Sequence, residues 1–161
     1  MGIYEYLEKN FRLTKQEKYR NCNLSDNIKR ILCDVGLPEE PIYFIHFNID
    51  QTDSISLNEK YIIIGNDLGT DICIDLKEEI VSVDPQNVYP TRFINTDLEC
   101  FIKFIFIYLS YEEKIIEAQD EEINNIMAEI REKFDLVDKR ALHNKDNWWS
   151  VILEQIELGL M

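Results

Sequence analysis

At 161 residues and 45% hydrophobic side chains, the chain has the length of one domain and enough apolar surface for a core. Its formal net charge of −14 disfavours direct binding to nucleic acid, because that affinity comes mostly from Lys and Arg neutralising phosphates. Acidity serves solubility or a basic protein partner instead, and here it is segregated: residues 1–35 are net basic, whereas the acidic excess lies in 36–94 and 95–161.

In chain order, Ile3, Tyr4, Leu7 and Phe11 stand at helical spacing, which predicts a short helix or ordered arm within residues 1–23. Ser25 suits the N-cap of a helix striped by Ile28, Ile31, Leu32 and Val35. Gly36 is expected to close that helix as a left-handed C-cap, with Pro38 as the stop. Residues 42–48 predict a strand with Tyr43, Ile45 and Phe47 on one face, followed by a polar hairpin connection over 50–58.

The densest strand signal runs from Tyr61 to Asp84. Tyr61-Ile62-Ile63-Ile64 is a β-branched run, and Gly65 to Gly69 is a turn cluster. Asp71, Cys73 and Asp75 alternate with Ile72, Ile74 and Leu76, predicting a strand with one wet, carboxylate-bearing face. Lys77-Glu78-Glu79 turns the chain into a third strand, residues 80–84, stopped by Pro85. The three make an antiparallel meander.

Pro85 to Pro90 is a loop and residues 92–95 a short strand. Thr96 and Glu99 form an expected capping box for a helix apolar round most of its circumference: Leu98, Phe101, Ile102, Ile105, Tyr108 and Leu109, widened by Phe104, Phe106 and Ile107. Ile123, Ile126, Met127, Ile130 and Phe134 stripe a second helix. Residues 138–142 suggest a helical turn. Asp146 is expected to cap a last helix, with Trp149, Ile152, Leu153 and Ile156 inward and Gly159 at its end. Strands in the middle and helices at both ends predict an α+β single domain.

Catalytic spacing is missing. His46 and His143 belong to no H-E-x-x-H motif and have no cysteine at metal spacing, and Cys22, Cys33, Cys73 and Cys100 form no C-x-x-C pair. Packed free thiols, a charged N-terminus without an apolar signal segment, and no apolar run long enough to span a bilayer point to a cytoplasmic, reducing setting. No phosphate loop or calcium loop is present, and no cofactor or metal is expected. Asp71 and Asp75 lie about 13 Å apart along a strand at ~3.3 Å per residue, too far for paired-carboxylate glycosidase chemistry. The adjacent Trp148-Trp149 is read as core packing rather than a partner anchor.

One feature asks for a function. Asp67, Asp71, Asp75, Glu78, Glu79 and Asp84 crowd the meander with only Lys77 among them, and like charges so close cost stability. A solvated strand face explains each alone; as a set, with Tyr89 beyond, they are candidate partner-binding residues for a basic protein.

The order Val35-Gly36-Leu37-Pro38, Tyr61-Ile62-Ile63-Ile64-Gly65, Asp71-Ile72-Cys73-Ile74-Asp75, Glu79-Ile80-Val81, Phe93 to Phe101, and Asp138…Ala141…Trp148-Trp149 resembles the SUKH superfamily over residues 30–158. It is most similar to the immunity-protein branch with a Gly-Leu-Pro opening and an I-G…I-C-I-D core. One departure is that Leu76-Lys77-Glu78-Glu79 stands where the family often has a glycine turn. The resemblance implies an α+β fold, an antiparallel sheet covered by helices. It also implies a bacterial immunity protein without an active site that binds and neutralises a polymorphic toxin, often a nuclease or deaminase. The expected partner is therefore a basic cognate toxin domain, with no nucleic acid and no membrane. A non-toxin interaction scaffold of the same fold is the alternative.

Overall fold

The computed structural model describes residues 2–50 and 54–161, which form two compact units, one ending at Thr91 and one spanning Arg92–Met161. The architecture is α+β.

In the first unit, α1 (Ile3–Asn10) realises the N-terminal stripe and buries Leu7. α2 (Asp26–Lys29) is capped by the Ser25 side chain, which accepts the Ile28 N–H at 3.4 Å. It then widens into a π-helical turn, Arg30–Val35, that buries Ile31, Leu32 and Cys33. Gly36 closes this turn differently from the expectation. Its φ of +102° is positive but its ψ of 173° is extended, and its N–H bonds the Ile31 carbonyl at 2.9 Å. A Cβ there would stand 2.8 Å from the Thr14 carbonyl group. The close approach arises because Leu37–Pro38 is not a stop but a strand, β2, paired with β1 (Leu13–Thr14).

The meander is present. β5 (Tyr61–Asn66), β6 (Asp71–Ile74) and β7 (Ile80–Val83) are antiparallel neighbours, with Ile63↔Cys73 and Cys73↔Val81 as register pairs. Two short strands share the outer side of β5: β3 (His46–Phe47) pairs with its end and β4 (Ser56–Leu57) with its start. The expected strand over 42–48 therefore shrinks to two residues. Before it, Ile42 and Ile45 exchange backbone bonds round a tight turn in which Tyr43 takes φ +56° and stays exposed. The expected connection over 50–58 lies partly outside the described residues, and its described end forms β4.

β5 carries a bulge between Ile63 and Gly65, where Ile64 is the extra residue. The Ile63 carbonyl accepts a hydrogen bond from the fully buried Tyr19 hydroxyl at 2.6 Å. Gly65 is required by space: a Cβ would stand 2.5 Å from the His46 carbonyl oxygen of β3.

The predicted wet face of β6 is not found. Ile72, Cys73 and Ile74 are all buried, with Cys73 packed among Val81, Val83, Leu57, Tyr61 and Ile63. Asp71 and Asp75 sit at the strand's two ends rather than along a solvated face, and Leu76, expected inward, is 79% exposed. Alternation fails because the strand is covered on both sides, a condition that produces continuous burial.

The second unit holds β8 (Arg92–Asn95) and four helices: α3 (Leu98–Ser110), α4 (Glu112–Glu117), α5 (Asp120–Val137) and α6 (Trp148–Glu157). A 3-10 turn, Lys139–Leu142, stands where the helical turn was expected. The cap of α3 is Asp97, whose carboxylate accepts the Cys100 N–H at 2.8 Å, and not Thr96. Glu99 instead pairs with Lys103 at 2.9 Å. A capping box exists at α5, between Gln119 and Glu122. Asn147, not Asp146, is the N-cap of α6. Of the stripe on α5, Met127, Ile130 and Phe134 are buried, while Ile123 and Ile126 are half-buried.

Both tryptophans are core residues. Trp149 lies edge-on to Phe134 at 5.2 Å between centroids, and Phe134 stacks on Phe104 at 3.8 Å. Trp149 Nε1 donates to the buried Asn95 Oδ1 at 2.9 Å. Asn95 Nδ2 donates to Asp138 Oδ2 at 3.1 Å, and Asp138 also accepts the Thr96 N–H at 2.8 Å and its hydroxyl at 2.9 Å. Thr96 is thus spent on Asp138, which is why the next residue caps the helix.

Candidate partner-binding surface

An antiparallel meander sends its connections to alternate ends, so the seven candidate residues are divided between two places. Asp67, Asp71, Asp84 and Tyr89 gather where β5 turns into β6 and β7 leaves. Asp75, Glu78 and Glu79 gather at the β6–β7 turn, a strand length away: about 13 Å at ~3.3 Å per residue. The expected single acidic face is two acidic ends.

At the first end the carboxylates shape the backbone. Asp67 Oδ1 accepts the N–H groups of Gly69 at 3.0 Å and Thr70 at 2.6 Å, and Oδ2 accepts the Thr70 hydroxyl at 3.0 Å. Asp84 Oδ1 accepts Gln86 N–H at 2.9 Å, and Oδ2 accepts Val88 at 2.9 Å and Tyr89 at 3.0 Å. Those N–H groups, Gln86 first, then Tyr89 and Val88, hold the Asp84 carboxyl below its ordinary range. Asp71 moves the other way, pushed up by burial and then by the charge of Asp67. Leu68, Val88 and Tyr89 are exposed at this end, and Leu68 takes φ +71°.

At the second end the carboxylates are half committed. Asp75 Oδ1 accepts Lys77 N–H at 2.9 Å and Glu79 N–H at 3.0 Å. Glu78 Oε2 accepts the Ser25 N–H at 2.6 Å. Glu78 takes φ +64° and so supplies, without glycine, the left-handed residue that the turn needs. Here the surface is concave. A cleft of about 470 Å³ is lined by the Asn23-Leu24-Ser25 segment, Ser56, Glu59, Lys60, Tyr61, Ile62, Ile74, Asp75, Leu76 and Glu78. A second of about 240 Å³ adjoins it across Lys60, Tyr61, Asp75 and Leu76. Sequence reasoning missed Tyr61, Glu59, Ser25 and Leu76 as neighbours of the carboxylates. A leucine inside a charged turn was the one signal that could have marked the place.

A further concavity, about 960 Å³, lies between α5 and α6 in the second unit. It is lined by both signs of charge, among them Arg131, Lys139, Lys145, Asp135, Glu154 and Glu157, and includes none of the seven candidates. His143 lines it; His46 lies in β3. Among the described residues no group of three or more His, Cys, Asp or Glu is placed to hold a metal ion, and no helix is long and apolar enough to cross a membrane. Burial, then the Asp71 charge, pushes the Cys73 thiol up to about 12, and burial, then Asp97, does the same to Cys100. Both are protonated at neutral pH, the opposite of an activated nucleophile.

A family model described as SUKH-4 immunity protein matches residues 11–155. The chain belongs to the SUKH-4 immunity protein family. No curated protein and no solved structure matches it. The match covers both compact units, including the meander and the Asn95–Asp138–Trp149 network. Within the matched region Ile64, Ile72, Ile74 and Ile80 of the meander are buried scaffold.

Proposed function

We infer that this chain neutralises a polymorphic toxin of nuclease or deaminase type by binding the toxin domain and occluding its active cleft. The observation that carries this reading is membership of the SUKH-4 immunity protein family over residues 11–155. The net charge of −14 supports a basic toxin domain as partner, because complementary charge speeds association and opposes wrong pairings. The contact surface is built from Asp67, Asp71, Asp75, Glu78, Glu79, Asp84 and Tyr89 at the two ends of the meander. No catalytic step is assigned to the chain, which acts as one binding domain in the reducing cytoplasm.

The test is to sequence the neighbouring genes and co-express the chain with the C-terminal domain of a toxin-like product found there. The expected result is rescue of growth and a complex that co-purifies in equal amounts. Growth arrest unrelieved by the chain, with no complex, would overturn the reading and favour a scaffold of the same fold.

A further inference from the structure

We propose that the cleft between the Asn23–Ser25 segment, the β4–β5 turn and the β6–β7 turn is a socket for an arginine side chain projecting from the toxin. This deepens the function inferred above and rests on it. Three independent features point to this occupant.

The first is shape: a concave site of about 470 Å³ that continues into a smaller one at the β6–β7 end of the meander. The second is lining. Leu76, 79% exposed, and the half-buried Tyr61 border both clefts, so an apolar wall and an aromatic ring stand beside the carboxylates of Glu59, Asp75 and Glu78, which outnumber the one ammonium in the larger cleft's lining, that of Lys60. A guanidinium suits such a site, since its plane stacks on aromatic rings and its fork of donors matches carboxylates. An aliphatic stem can lie along Leu76 while the charge reaches the acids.

The third feature is the valence of the carboxylates. Asp75 and Glu78 each hold one oxygen to backbone N–H groups, which fixes the side chain, and each keeps the other oxygen free of any hydrogen bond among the described residues. An acceptor oriented in advance costs little further ordering when a donor arrives. At the opposite end Asp67 and Asp84 have both oxygens engaged within their own turns. Arginine is also a residue type enriched at binding hot spots, where an anchor fills a pocket.

Two measurements test the socket. The first is affinity for the toxin domain, with wild-type chain, Asp75→Asn/Glu78→Gln, Leu76→Ser, and Glu129→Gln/Glu132→Gln on the exposed face of α5 as the equal-charge control. The amides keep the acceptors that hold Lys77, Glu79 and Ser25, so the turn survives; circular dichroism and melting verify this. The expected result is a loss of about tenfold or more for the cleft double variant and a smaller loss for Leu76→Ser. The control should lose much less. Equal losses in both double variants would reduce the effect to net charge and overturn the socket, as would an unchanged affinity in the cleft variants. In both cases the toxin-binding reading would stand.

The second measurement needs no toxin. N-acetyl-arginine amide is titrated into the full chain by 1H–15N correlation spectroscopy, with the citrulline counterpart as the uncharged control. Shifts at Ser25 and residues 75–79, absent with citrulline and absent in the cleft double variant, support the socket. Shifts elsewhere or nowhere overturn it, whatever the toxin experiment returns.

Discussion

A methyl group at Gly65 would meet the His46 carbonyl oxygen at 2.5 Å, a backbone atom that cannot swing aside as a side-chain tip can. Gly65→Ala should therefore destabilise the chain by about 1–3 kcal/mol, toward the upper end, in urea unfolding. Leu68 makes the opposite case. It holds φ +71° while 73% exposed, so little packing opposes a change. Leu68→Gly removes about 1–2 kcal/mol of left-handed strain and adds about 0.5–1 kcal/mol of chain entropy cost, and should stabilise by about 0.5–1 kcal/mol. A destabilised Leu68→Gly would mean that the side chain makes contacts its exposure does not suggest. Asp71 carries a pH dependence. Burial and Asp67 raise its carboxyl, so the folded state keeps the proton to higher pH than the unfolded chain. Its contribution to stability then falls as pH rises between the unfolded and folded values, and stays low above them. Asp71→Asn should raise the melting temperature near neutral pH, and the gain should vanish well below the ordinary aspartate value of about 3.9. A gain independent of pH would contradict this.

At the scale of elements, periodicity read burial correctly along the helical stripes and wrongly in β6, whose Ile72, Cys73 and Ile74 are all buried. The stripes of α3 and α6 hold: Phe101, Ile102 and Ile105 of the one, and Ile152, Leu153 and Ile156 of the other, are buried. β6 misled because Asp71-Ile72-Cys73-Ile74-Asp75 alternates in polarity only at its ends. Caps were the least legible feature, since several residues near a helix start have the right chemistry and a distant partner chooses among them. Asp138, packed beside Asn95 and Trp149, takes Thr96 and leaves Asp97 to cap α3. Asp97→Ala should cost about 1 kcal/mol as a lost cap, whereas Glu99→Gln should be nearly neutral because its pairing with Lys103 is solvent-exposed. Asp138→Ala should cost more, about 2–4 kcal/mol, by stranding the buried Asn95 amide and the Thr96 N–H. Chemical denaturation of the three variants checks the ranking.

For the whole molecule, the charge of −14 acts at a distance that no single carboxylate reaches. The association rate with a basic toxin domain should fall steeply as salt rises from low to physiological strength, with a Debye length of about 8–10 Å setting the range. The dissociation rate should change much less, because it reports short-range contacts. Stopped-flow association across a salt series measures both, and a flat association rate would remove charge steering. By itself the sequence determined the α+β class, the antiparallel meander, the helical stripes, the acidity and the family, because each is written in local periodicity, turn chemistry or ordered motifs. Only the tertiary structure decided that the meander's carboxylates lie at two separate ends, that Asp67 and Asp84 at one end are consumed by their own turns, and that Asp75 and Glu78 border a cleft with Tyr61 and Leu76. The physical reason is that an antiparallel register sets which turns become neighbours, and hydrogen bonds between residues distant in the chain, such as Ser25 to Glu78, decide which carboxylate oxygens stay free.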